Sequence, residues 1–466
     1  MLKISQLANG LFADKEFYKK MLVIALPVTL QNFITSFLNM IDTVMVGKLG
    51  ETEIAAVGIA NQYFFLFIML LIGLSAGSSV FIAQFWGKKD LENIKRIMGV
   101  GLSSAILVSL VFTVIGLLFP REVIALFNQD PQVITLGAGY LRIVLVSYIF
   151  TAVTFVYSFS LRSIGQAISP MVISAVALLI NTFFNYMLIF GKFGAPALGV
   201  EGAALATVIA RVVETMLLLA YIYSRKGVLA ATLRELTDFN FEFVKKSYHT
   251  IFPVVLNEMC WGLASLVYVA VYGRMGTQAV AAIQICTTIN NLFLIVAFGL
   301  ASAAAVMVGN TIGAGEEQLS KDYAQRFSFL SVGAGVGLGL LLAVTSPAIL
   351  SIFNVSDTVR QASQYIIYIC SAIFFIRMLN INLIVGILRG GGDAKQAFII
   401  EGFTMWFIGV PLTIVGAFVF QQPVYIVYAL ATIEEISKCL LCLLRLKSGL
   451  WIKNVTHHLA ADRAAA

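Results

Sequence analysis

Asp42 sits in "NMIDTVMVGKLGETEIAAVG" (39–58), inside a run that otherwise reads as membrane-spanning, with Leu38, Met40, Ile41 and Val46 for neighbours. No basic residue lies within a turn or two of it on the expected span, 21–46, to neutralise it. An ionisable group at bilayer depth costs about 2.5–3.5 kcal/mol on insertion scales, so its presence needs a reason. Two readings stand. It is an acid at the membrane interface, since the run ends a few residues later, or it is a cation site. A carboxylate desolvated among apolar groups has its pKa raised and can exchange a proton at working pH. With enough oxygen neighbours it can hold Na⁺ instead. Such oxygens occur in the same half of the chain. Asn181 and Asn185 in "NTFFNYMLIFG" are four apart and share a helix face, and Thr207 in "GAALAT" adds a hydroxyl. Each asparagine taken alone also suits a hydrogen bond between helices.

Other charges in apolar runs explain one another. Arg211 and Glu214 are three apart, and Glu434 and Glu435 precede Lys438 by four and three, so each set can pair on one helix face. Glu258 in "FPVVLNEMCWG" and Arg377 in "FFIRMLN" fall near mid-span and are expected to form a buried ion pair. Breaking such a pair from one side hurts more than removing it whole. Glu401 in "FIIEGFTMW" lies nearer a span end and is expected to be solvated; with Glu258 and Arg377 it makes a second polar set. "CLLC" (439–442) has redox spacing but no histidine or second cysteine pair nearby, so it reads as two small side chains of an apolar helix.

The elements that must carry these residues follow from composition. The chain has 466 residues, 59% hydrophobic and 12% charged, with a mean hydropathy of +0.92. Soluble domains run about 45–50% apolar and about 25% charged, so an all-α integral membrane protein is implied. The net charge of +7 sits in short loops between apolar runs, as membrane topology requires, and not on a basic face for nucleic acid. Runs of about 20 apolar residues predict twelve spans, near 21–46, 54–82, 97–119, 134–160, 167–190, 198–224, 247–272, 280–310, 324–350, 361–386, 396–419 and 424–446. Lys15, Lys19, Lys20, Lys88, Lys89, Lys95 and Arg96 place both termini in the cytoplasm. Residues 1–20 lack a cleavage site and read as an amphipathic segment on the membrane surface.

The second half copies the first. Pro27 and Pro253 stand 226 residues apart, and the same offset carries "VGKLG" (46–50) onto "YGRMG" (272–276) and Gly87 onto Gly313. "LRSIGQ" (161–166) meets "LRGGGD" (388–393) at 227, and "ALAT" (204–207) meets "ALAT" (429–432) at 225. Asp42 falls on Tyr268: one half has the acid, its copy does not. Six spans per copy is an even number, so the repeats are parallel. The expected architecture is two pseudo-symmetric six-helix lobes, 21–224 and 247–446, around a central cleft, joined by a cytoplasmic linker at 225–246 and followed by a tail at 447–466. Such a cleft can hold a polar solute and expose it to either side in turn. Pro27 removes a helical hydrogen bond and localises bending. No nucleophile–base set, histidine-rich metal motif or nucleotide loop occurs, so neither an enzyme nor a resident cofactor is expected.

In order and spacing, "ALPVTLQNFITSFLNMIDTVMVGKLG", "AAVGIANQ", "GLSAGSSVFIAQFWG", "LRSIGQAISP", "NTFFNYMLIFG" and "GVEGAALAT", with the "IFPVVLNE" and "LRGGGD" copies, resemble the multidrug and toxic compound extrusion (MATE) transporters over roughly residues 20 to 450. The resemblance implies a multi-pass protein of the inner or plasma membrane that expels organic cations and amphipathic drugs in exchange for H⁺ or Na⁺. It implies a coupling role for Asp42, with Asn181 and Thr207 at further cation-site positions and Na⁺ possible at Asp42, Asn181 and Thr207. Asn185 stands where the family has an aspartate, which leaves the choice of ion open. Some branches rely on an acid in span seven; Glu258 lies in that span, a turn from the usual position. The expected partners are small cationic or amphipathic substrates and membrane lipids, the expected state a monomer. The alternative is a flippase for lipid-linked saccharides, which wants a basic cleft.

Overall fold

The computed structural model describes residues 14–353 and 355–460, which form helices and turns with no strand among the described residues. In chain order the helices are α1 Lys15–Gly47, α2 Glu51–Lys88, α3 Leu91–Leu118, α4 Pro120–Ala125, α5 Pro131–Val144, α6 Ser147–Ser163, α7 Ile168–Phe190, α8 Gly199–Ser224 and α9 Leu233–Leu236. They continue with α10 Phe241–Arg274, α11 Thr277–Gly313, α12 Glu317–Ser351, α13 Asp357–Ile381, α14 Ala394–Thr404, α15 Val410–Ile414, α16 Val424–Ala431, α17 Ile433–Ser448 and α18 His457–Ala460. Three stretches widen into π-helical turns, Asn382–Leu388, Met405–Gly409 and Val415–Val419. Residues 1–13, most of the expected amphipathic segment, lie outside the described residues.

Among the described residues, ten helical spans are long and apolar enough to cross a membrane, and the pair α5 and α6, bent by 53°, makes eleven. The twelfth expected span, 424–446, is divided at Thr432 into α16 and α17, of 8 and 16 residues. α17 carries Glu434, Glu435 and Lys438, which pair with one another as their spacing leads one to expect and also reach Tyr268, Glu401 and Arg377 on other helices. At the bend, the Leu145 carbonyl accepts from the Tyr148 amide at 3.1 Å and from the Thr113 hydroxyl at 3.4 Å.

The chain divides into two compact units. The N unit holds Leu30–Ile82 and Asp90–Ile251; the C unit holds the described residues up to Thr29, Ala83–Lys89, and those from Phe252 on. α1 changes unit between Thr29 and Leu30, two residues after Pro27, and α10 changes between Ile251 and Phe252, beside Pro253. Both transitions fall where proline removes a backbone donor from the helical ladder.

Within the N unit, Phe67 stacks on fully buried Tyr148 at 4.4 Å, and Tyr63 donates to the Phe112 carbonyl at 2.8 Å. Thr154 and Thr215 tie α6 to α8 at 2.9 Å. The stretch expected as a linker is ordered against α3. Thr232 and Glu235 cap α9 reciprocally, Lys95 meets Glu235 at 2.7 Å, and Arg96 meets Asp238 at 2.5 Å. The hydrogen bond from Lys95, then those from Thr232, hold the Glu235 carboxyl down at about 2.

In the C unit, α12 and α13 pack around Phe374, Met378 and Ile366. Asp14 accepts from Arg326, whose guanidinium lies over the ring of buried Phe17. The glycines that the repeat pairs come together: a Cβ on Gly87 would fall 1.9 Å from the Asn310 carbonyl oxygen, and one on Gly313 would fall 1.9 Å from that of Gln84. Only residues without a side chain permit this crossing of α2 and α11. Beside it the chain returns after α17 as a strap. Trp451 is buried, Lys453 and Arg445 close on Asp393 at 2.6 and 2.7 Å, and the Lys453 amide donates to the Gly391 carbonyl. Buried Gln84 donates to the Lys453 carbonyl at 3.0 Å and accepts from the Val455 amide at 2.9 Å.

Candidate functional site

The N unit brings Asp42, Asn181, Asn185 and Thr207 together. Four-residue spacing puts both asparagines on one face of α7, where the Asn185 amide donates to Asn181 Oδ1 at 3.1 Å and to the Asp42 carboxylate of α1. The Asn181 amide reaches Thr207 Oγ1 of α8 at 3.5 Å, and that hydroxyl donates to the Ala203 carbonyl. Asn185 is fully buried and its Oδ1 has no partner among the described residues. Buried Tyr140 of α5 stands beside Asp42 and Thr207, a neighbour that sequence reasoning missed because nothing in its residue type or spacing marked it. Chemically this is one carboxylate fed by an amide donor, with amide and hydroxyl oxygens within a few ångströms. It can take up a proton, or offer hard oxygen donors to a small cation.

A second polar chain runs through the N unit. Arg162 Nη2 donates to Gln31 Oε1 at 2.7 Å, the Gln31 amide donates to Ser174 at 2.9 Å, and Ser174 donates to Glu214 at 2.7 Å. Arg211 closes on Glu214 at 2.7 Å, the pairing expected from their spacing. Arg162 also lies over the Phe159 ring at 5.2 Å.

The C unit carries the counterpart. Arg389 donates to Asn257 Oδ1 and to Glu258, each at 2.6 Å, and the Asn257 amide donates to Glu401 at 2.5 Å. Lys438 stands 3.8 Å from Glu401, Glu434 and Glu435. Tyr268 donates to Glu434 at 2.8 Å, Asn380 donates to Glu435 at 2.7 Å, and Arg377 lies 3.5 Å from Glu435. Gly409, in a π-helical turn, leaves the space in which Tyr268 and Glu434 meet.

Two expectations change here. Glu258 pairs with Arg389, not Arg377, because Glu435 on α17 captures Arg377 while the chain beyond the Asn382–Leu388 π-helical turn delivers Arg389. Glu401 is enclosed, with its side chain 13% exposed, because Asn257 and Lys438 reach it. The two chains match position by position: the repeat offsets set Gln31 on Asn257, Asn32 on Glu258, Arg162 on Arg389 and Ser174 on Glu401. Arg389 was legible in the aligned "LRSIGQ" and "LRGGGD", but its place at a span edge made it look like a loop charge.

Set against known proteins, the chain matches the family model described as MatE twice, over residues 27–187 and 253–415. It is 28% identical over 407 residues to the probable multidrug resistance protein YoeA of Bacillus subtilis, covering 85% of this chain and 86% of that one. It is 25% identical over 439 residues to the probable multidrug resistance protein NorM of Thermotoga maritima, covering 94% of each. Among solved structures, a mutant of the Vibrio cholerae MATE transporter VcmN superposes with a TM-score of 0.86 at 18% identity, covering 94% of this chain and 98% of that one.

Proposed function

The chain belongs to the MatE family, a family of multi-pass membrane transporters, and from that premise we propose that it exports cationic and amphipathic drugs in antiport with H⁺ or Na⁺. Relatives named as multidrug resistance proteins support the substrate class. The observation that carries the coupling reading is the Asp42 carboxylate joined to Asn185, Asn181 and Thr207 inside the N unit.

In this reading both termini are cytoplasmic and a cleft between two lobes, 21–224 and 247–446, opens to each side in turn. A charged Asp42 accepts strongly from Asn185; a protonated one does not, and the contact loosens. Sodium uses the Asp42 carboxylate, the Asn181 oxygen and the Thr207 hydroxyl, with the orphaned Asn185 oxygen as a further donor. Either ion neutralises an acid on α1, the helix that changes unit beside Pro27, and so favours one arrangement of that helix over the other. Coupling requires only that cation and drug prefer different arrangements.

The test is drug-dye efflux by purified protein in vesicles under an imposed pH gradient and then a Na⁺ gradient. Asp42→Asn is expected to insert normally and to lose gradient-driven efflux under both. Full efflux by a well-inserted Asp42→Asn variant overturns the coupling role.

A further inference from the structure

The polar chain of the N unit has one positive charge too many, and we infer that Arg162 is an anion-accepting position, open to the carboxylate or phosphate of an amphipathic ligand. The C unit supplies the reference. There, the corresponding Arg389 is met by a carboxylate, Glu258, as well as by Asn257. In the N unit the position of Glu258 is held by Asn32, a neutral residue. Arg162 is left with the amide oxygen of Gln31 and the face of Phe159.

Following the chain onward does not find the missing charge. Gln31 and Ser174 are neutral, and the one carboxylate at its far end, Glu214, is already paired with Arg211. Two guanidiniums therefore share one acid. Asp42 does not serve either, since its contact is with Asn185. The Nε of Arg162 is enclosed without a partner, and Nη1 donates no hydrogen bond among the described residues. Arg389 also leaves Nε unpartnered, so what separates the twins is the acid. A guanidinium presents a planar fork matched to a carboxylate or phosphate, and it does not lose its proton to escape burial. The residue is half-buried, whereas Arg389 is buried.

The ligand class follows: an amphipath whose apolar body suits a membrane-embedded unit and whose oxyanion completes the pair that Glu258 completes in the C unit. Where that oxyanion is the solute's, the inference rests on the exporter reading and adds that zwitterions are favoured over otherwise identical monocations. Where it is a lipid phosphate, the position holds a headgroup.

The experiment measures equilibrium binding, not transport, and uses the full chain in vesicles. The probes are rhodamine B, which carries a free carboxylate, and its ethyl ester, which does not. The wild type is expected to bind the free acid more tightly, on the order of tenfold, the worth of one charge-assisted pair. Asn32→Glu, which installs the acid of the twin, and Arg162→Gln are each expected to erase the preference while leaving ester binding unchanged. Arg162→Lys is expected to keep part of it. The preference is read again in phosphate-free dodecyl maltoside micelles: one that survives in both phosphatidylcholine vesicles and micelles assigns the position to the solute, and one seen in micelles alone assigns it to a headgroup phosphate. Equal binding of both dyes by the wild type in phosphate-free micelles, or an undiminished preference in Asn32→Glu, overturns the inference. Asp42→Asn is expected to retain the binding preference, so failure of the coupling role and failure of the anion position are read separately.

Discussion

Arg162 and Arg389 occupy the same place in two copies of one design, yet their surroundings carry opposite charge. In the N unit, two guanidiniums share Glu214. In the C unit, Glu258, Glu401, Glu434 and Glu435 face Arg389, Lys438 and Arg377, so acids outnumber bases. The amide links are kept, Gln31 in one and Asn257 in the other, and both reach the same position of the following helix, Ser174 or Glu401. The repeat thus preserves a route of hydrogen bonds while single substitutions along it decide the sign of the charge. Asp42 and Tyr268 extend the contrast: the acid meets Asn185, whereas the phenol donates to Glu434.

The sharpest way to break this comparison is to make the C unit resemble the N unit. Glu258→Gln leaves Arg389 without its carboxylate and is expected to cost about 3–5 kcal/mol, because a buried charge loses its partner. Replacing both, as Glu258→Leu with Arg389→Met, is expected to cost less. Denaturation in detergent checks this, and a single variant no worse than the double would mean the pair is not a unit. Next, Ser174→Ala takes a donor from Glu214 and an acceptor from Gln31, with an expected loss of about 1.5–3 kcal/mol. An unchanged midpoint would show that the N-unit route is not continuous.

The smallest effect belongs to the half-exposed pair Lys95 and Glu235, which lies outside both routes. Glu235 titrates at about 2, below its ordinary 4.5, so its contribution is complete above 4.5 and disappears as the pH falls towards 2. Melting temperatures of the wild type and Glu235→Gln are expected to differ slightly near neutrality and to converge in acid. A gap that persists at pH 2 would contradict that sign.

Much of the scaffold was legible because burial in lipid demands long apolar runs, and the cluster around Asp42 was legible because four-residue spacing fixes a helix face. The division at Thr432 was not, since Glu434, Glu435 and Lys438 looked self-sufficient on one helix. The true partner of Glu258 was hidden for a related reason: sequence gives the faces of helices but not which distant helix a charge meets. Arg445 and Lys453 read as topology signals, and nothing local disclosed that both close on Asp393.

That strap has a consequence for how the protein is made. Gln84 emerges early from the ribosome, but the amide it accepts from belongs to Val455, 371 residues later. At about 5–20 residues per second, roughly 20–75 s pass before the second helix can be fastened. Until then the end of that helix must be guarded by lipid, water or the insertion machinery, and a nascent chain halted just short of residue 453 would reach the membrane with its last knot untied.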